Sequence, residues 1–119
     1  MKKTLIIGAS ENPERYAYMA AERLVSHGHD IEMIGKRPGK IFGKTIQTDK
    51  VPFEDIDTVT LYISAKFQPE YYDYILSLKP KRVIFNPGTE NPVLSRLLSE
   101  QNIEWEQACT LVLLGTNQY

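Results

Sequence analysis

"LIIGASENPERYAY", residues 5–18, passes from a continuous apolar run through Gly8 into a short polar loop and then into a helical pattern. Thr4 to Ile7 has the length and composition of a strand covered on both faces, as strands of a parallel sheet are. Beyond the loop, Ala17, Ala20, Ala21, Leu24 and Val25 recur at i, i+3, i+4, i+7 and i+8. That spacing is one apolar stripe of an amphipathic helix, and Gly28 supplies a left-handed end for it. Strand, loop and helix in this order are the first part of a βαβ unit.

The alternation continues downstream. Ile31 to Ile34 reads as a second strand, after which Gly35, Pro38, Gly39 and Gly43 break the chain into a long basic loop. Thr58 to Ile63 is a third strand, and Pro69 opens a helix with Tyr71, Tyr74, Ile75 and Leu78 on its packed face and Tyr72 off it, toward solvent. Val83 to Phe85 is a fourth strand. Asn91 and Pro92 then stand as N-cap and first residue of a helix that Leu94, Leu97, Leu98 and Gln101 carry on to Asn102. Ile103 to Trp105 is a short fifth strand, Leu111 to Leu114 is an apolar run of undecided type, and the tail from Gly115 to Tyr119 reads as loose. The spacing predicts one Rossmann-like α/β domain over residues 1–119, with a mostly parallel sheet of five or six strands and helices on both faces. In such sheets a ligand lies beyond the carboxyl ends of the strands, where the strand order reverses.

A chain of 119 residues has the size of one domain. Its 42% hydrophobic and 24% charged residues with a net charge of -1 give no global field that would recruit nucleic acid or an anionic membrane, so any electrostatic recognition is local. The apolar stretch behind Lys2 and Lys3 ends at Gly8, too short for a signal sequence or a membrane helix, and the protein reads as cytoplasmic. Cys109 is the single cysteine, which leaves no intrachain disulfide, and it reads as a packing residue with no helix start beside it. His27 and His29 flank Gly28 as turn residues without the spacing of zinc ligands, so no structural metal is expected.

Two loops carry the candidate chemistry. In the first, Gly8 and Ala9 form a tight turn, Ser10 and Asn12 can donate to phosphate oxygens, and the following helix offers unpaired N–H groups. Ser10 and Pro13 stand where the G-x-G-x-x-G dinucleotide pattern has its second and third glycines, so the loop equally fits a plain turn with Asn12 as N-cap and Pro13 behind it. The second loop is Gly35-Lys36-Arg37-Pro38-Gly39-Lys40. An NAD site places an acid here for the ribose hydroxyls, whereas three cations and no acid suit a phosphomonoester on the ribose, the 2'-phosphate of NADP or the 3'-phosphate of coenzyme A. A solvated basic loop is the plain alternative.

Taken together, the GAS-x-N-P-x-R loop, Lys36-Arg37-Pro38-Gly39-Lys40 followed by Gly43-Lys44-Thr45-Ile46, Phe67-x-Pro69 and the Gly88 loop resemble the CoA-binding domain family. Its members are stand-alone relatives of the N-terminal domain of the succinyl-CoA synthetase α subunit, and the likeness runs from about Lys3 to Cys109. The resemblance implies that Ser10, Asn12 and Arg15 contact the diphosphate and pantetheine end of CoA, that Lys40 helps hold the nucleotide phosphates, and that Pro38 lies beside the adenine. It further implies that Ile63 and Ser64 line the pocket and that Asn86, Pro87 and Gly88 lie near the thiol-bearing arm. Asn86-Pro87-Gly88 departs from the Gln-x-Gly frequent in the single-domain relatives, and the segment after Cys109 departs as well.

The implied function is binding of coenzyme A or an acyl-CoA by a non-catalytic binding, carrier or regulatory module. The phosphohistidine and nucleotide-grasping parts of the synthetases have no counterpart in the chain, so it does not read as an enzyme. An NADP-binding oxidoreductase or redox-sensing domain is the second reading, although neither a nicotinamide pocket nor a proton donor is apparent. A degenerate domain acting in protein assembly is the third. Besides a small nucleotide-type ligand, a homodimer or another protein partner stays open, with Leu111 to Leu114 as one surface for it.

Overall fold

The computed structural model describes the whole chain, Met1–Tyr119. In chain order the elements are β1 (Thr4–Ile7), α1 (Tyr16–Ser26), β2 (Ile31–Ile34), β3 (Gly39–Ile41), β4 (Lys44–Gln47), β5 (Thr58–Leu61), α2 (Tyr72–Leu78), β6 (Arg82–Phe85), α3 (Pro92–Glu100), β7 (Glu104–Gln107) and α4 (Thr110–Gly115). They build one seven-stranded sheet of order β3-β4-β2-β1-β5-β6-β7, parallel throughout except where β3 meets β4. The chain steps outward from β1 to β2 and the β3–β4 pair, then returns to β5 on the other side of β1. The carboxyl ends of β1 and β5 are therefore the place where the order reverses.

Burial on both faces explains the unbroken apolar strands. Leu5 and Ile7 of β1 pack with Tyr74, Ile75, Leu94 and Leu98 from α2 and α3, while Ile6 packs with Ala17, Ala21, Leu24 and Leu114 from α1 and α4. All three β1 side chains are fully buried, and each such burial contributes about 1.5–3 kcal/mol before chain entropy is charged against it. α1 ends as its sequence suggests: the N–H of Gly28 donates to Val25 O, that of His29 to Leu24 O, and Gly28 sits at φ +82°. Asn91 caps α3 by accepting from the N–H groups of Val93 and Leu94, with Pro92 first in the helix.

Of the expected basic loop, residues 35–38 are a loop while residues 39–47 form a hairpin, and the sheet has seven strands where five or six were expected. Ile41 opposite Lys44 closes a two-residue turn, Phe42 and Gly43, both at positive φ (52° and 78°). Ile41 and Ile46 anchor the hairpin in the α1-side core while its cations face outward. Pro69 starts a 3₁₀ turn (Pro69–Tyr71) that precedes α2. The Leu111–Leu114 run is part of a helix on the body of the protein, with Leu114 buried. Tyr72 is half-buried, its hydroxyl accepting from Asn91 Nδ2 at 2.8 Å, so it does not face solvent. Nor is the tail loose. The Tyr119 hydroxyl bonds Thr4 Oγ1, and its ring lies against the Arg82 guanidinium and edge-on to His29.

Candidate functional site

Beyond the carboxyl ends of β1, β2, β5 and β6 the loops enclose a cleft of about 760 Å³. Its first wall is the loop after β1. The N–H groups of Gly8 and Ala9 both donate to Ile34 O at 2.9 Å, folding the loop over the end of β2. Gly8 sits at φ +98°, and a Cβ there would stand 2.8 Å from Tyr62 O, so the turn needs glycine twice over. Ser10 Oγ accepts from Asn12 N–H and Asn12 Oδ1 from Glu14 N–H, each at 3.0 Å. Asn12 thus closes a local turn rather than capping α1, whose N-cap is Arg15. The Ser10 O–H and the Asn12 side-chain N–H groups keep no protein acceptor, and Gly8, Ala9, Ser10, Asn12, Arg15, Tyr16 and Ala17 all line the cleft.

Lys36, Arg37 and Pro38 form the second wall. They are pressed against the first: a Cβ on Gly35 would lie 2.4 Å from Ala9 O. Glu11 fastens the hairpin from the other side. Its carboxylate accepts from the N–H of Lys40 at 3.0 Å and its side chain occupies the space a Cβ on Gly39 would need.

The third wall is Tyr62, Ile63, Ser64 and Phe67, and the fourth Pro87, Gly88 and Thr89. Gln68, fully buried, joins them by donating from Nε2 to Ile63 O at 2.9 Å and to Thr89 O at 2.8 Å, while Oε1 accepts from Asn91. This staple fixes the backbone beside Phe67, a residue that is 45% exposed. The Lys36 and Lys66 ammonium groups lie 4.7 and 4.9 Å from the centroid of that ring. The Tyr62 hydroxyl is buried with no partner in bonding geometry; burial pushes it up to about 12, outweighing the Thr110 and Thr60 hydroxyls nearby, and it stays protonated at neutral pH.

Charge is distributed unevenly. The ion pairs of the protein join Lys3 with Glu32, Lys50 with Glu70, Lys81 with Asp57 and Arg82 with Glu106. Arg15, Lys36 and Arg37 take part in none of them, and Glu11, already engaged with Lys40, is the one carboxylate on the cleft. The site therefore favours an anion.

Two of the expected site residues do not line this cleft. Lys40 is on β3, outside the cleft, with an exposed side chain. Asn86 is buried beneath it: Nδ2 donates to Thr60 Oγ1 and Leu61 O, and Oδ1 accepts from Thr110 N–H. Sequence reasoning missed Glu11, Tyr16, Ala17, Tyr62, Phe67 and Thr89. Phe67 had a signal, an aromatic at the mouth of a strand-end loop beside Lys66; Tyr62 and Thr89 had none. Cys109 is half-buried at the N-cap of the six-residue α4, a helix start the sequence did not suggest. No group of three His, Cys, Asp or Glu side chains is placed to hold a metal, and no helix is long and apolar enough to cross a membrane.

A mostly parallel sheet with helices on both faces and a cationic cleft at its switch point defines a Rossmann-like α/β domain of nucleotide-binding type. Residues 2–115 match the family described as CoA binding domain, and the chain belongs to that family. Among solved structures, an uncharacterized protein shares 55% identity over 100% of this chain and 98% of its own, with a TM-score of 0.98. A hypothetical protein from Pyrococcus horikoshii OT3 shares 26% identity at a TM-score of 0.83, over 93% of this chain and 80% of that one. An oxidoreductase from Bacillus cereus is similar in fold alone, at 14% identity and a TM-score of 0.63, over 91% of this chain and 34% of that one. None of the curated proteins matches the chain.

Proposed function

We propose that the protein is a cytoplasmic module that binds coenzyme A or an acyl-CoA in this cleft without performing chemistry on it. The observation that carries the reading is the set of cations on the cleft, Arg15, Lys36 and Arg37, that have no carboxylate partner in a chain of the CoA binding domain family. A diphosphate would rest on the first loop and the opening N–H groups of α1, held by the Ser10 hydroxyl, the Asn12 amide and Arg15. Ile63, Ser64, Pro87 and Gly88 would then flank the pantetheine arm. The cleft volume lies within the range of small-molecule sites.

Calorimetric titration with CoA, 3'-dephospho-CoA, NADP and NAD in one buffer tests the reading. CoA is expected to bind more tightly than NADP or NAD. Preference for NADP would contradict the reading in favour of an oxidoreductase or redox sensor, and no binding by any of the four would leave assembly with another protein or a second copy as the function.

A further inference from the structure

Phe42 is the first residue of the two-residue turn that joins β3 to β4, and it sits at φ 52°, a conformation that Asn, Asp and Gly adopt readily and a bulky side chain does not. Its ring is not taken up by the core. The residue is 38% exposed, with the ring 5.2 Å from that of Tyr18 on α1. Glu22 and Val25, four and seven residues on from Tyr18, fall on the same side of α1, and both are exposed. Lys44 stands opposite Ile41 across the hairpin and so shares its face, the α1 side of the sheet. Neither Glu22 nor Lys44 is in an ion pair, and none of these residues lines the cleft. The patch has an aromatic pair at its centre, a carboxylate on the helix side and an ammonium on the strand side.

We propose that this patch is the contact between two copies of the chain, related by a two-fold axis that passes through the Tyr18–Phe42 pair. The rotation lays Phe42 of each copy on the partner's Tyr18 and sets each Glu22 opposite the partner's Lys44. Opposite charges on either side of an apolar centre are what a two-fold contact requires, because one patch has to complement itself. A surface for an acidic or a basic protein of another kind would carry a single sign. The net charge of -1 leaves two copies little overall repulsion to overcome. Contact with a second copy also accounts for an aromatic at a turn position that the fold by itself would fill with Asn or Gly. The inference stands apart from the CoA reading, since it uses no residue of the cleft.

The test is sedimentation equilibrium of the wild type and four variants over a range of concentrations. The wild-type mass is expected to rise with concentration toward twice the 13.6 kDa of the chain. Phe42→Asn keeps the turn, since Asn suits its first position, and is expected to stay at 13.6 kDa with its circular dichroism unchanged. Glu22→Lys and Lys44→Glu each set like charges against one another twice across the axis and are expected to weaken association about tenfold or more. The double variant carrying both reversals restores the opposite pairs, and with them the dimer. A wild type that stays at 13.6 kDa at every concentration overturns the proposal, as does a dimer that survives Phe42→Asn. Single charge reversals without effect, or a double variant no tighter than the singles, overturn it as well.

Discussion

A methyl group on Gly35 would meet Ala9 O at 2.4 Å and Ile46 Cγ2 at 3.0 Å. Neither neighbour can retreat, because Ala9 N–H is bonded to Ile34 O and Ile46 is buried in the core. Gly35→Ala is therefore expected to lower stability by about 2 kcal/mol, read as a lower urea midpoint with an unchanged slope. The same two walls of the cleft would be forced apart, so ligand affinity should fall with stability. Gly88, at φ +90° with nothing within 4 Å of an added Cβ, keeps its place through backbone conformation alone. At this scale the sequence was legible where a residue acts through its own backbone, as Gly8 and Gly28 do, or on the backbone just after it, as the Asn91 side chain does. It was not legible where the partner is distant in the chain: nothing local to Asn86 announces Thr60, Leu61 and Thr110.

Among elements, the β3–β4 hairpin does most to shape the site, since it holds Lys36, Arg37 and Pro38 against the first loop. Glu11 is its latch. Replacing Glu11 by Ala removes the acceptor for Lys40 N–H and should speed hydrogen exchange at that amide, leaving the amides of β1 and β5 as protected as before. Equal protection of Lys40 in the variant would show that the hairpin holds itself. The density of Gly and Pro from Gly35 to Gly43 reads as a loop because strands of three and four residues are too short to display a period. What made them strands is pairing with β2 through Met33 with Ile46 and Ile34 with Gln47, and burial of Ile41 and Ile46. α4 was undecidable for the same reason: six residues do not separate helix from strand. The longer α1 and the capped α3 fell where their apolar stripe and Asn-Pro start put them.

Taken whole, the molecule is two apolar cores on opposite faces of one sheet, with its two chain ends fastened together at the amino ends of the strands. Lys2 N–H donates to His29 Nδ1 at 2.8 Å, and the His29 ring packs edge-on to Tyr119. Burial, then the chain's amino terminus and nearby cations, hold the His29 pKa below its ordinary 6.5. The unfolded chain accordingly binds the imidazole proton more readily than the folded one. Stability contributed by this group is complete above about pH 6.5 and is lost as the pH falls from there through the lower folded value. Urea unfolding across that window should show stability rising with pH, and His29→Gln should flatten this part of the slope. An unchanged slope would assign it to carboxylates instead.

CoA bound in the cleft where the strand order reverses would leave the opposite end of the sheet untouched. The measurement is an NMR titration of the labelled protein with CoA that maps backbone amide shifts. The largest changes are expected at Gly8 to Ala17, Lys36 to Arg37 and Tyr62 to Phe67, with the far ends of the strands and the groove between α3 and β7 at Ser99 and Trp105 unmoved. Shifts concentrated at that groove, or none at saturating CoA, would contradict binding in the cleft.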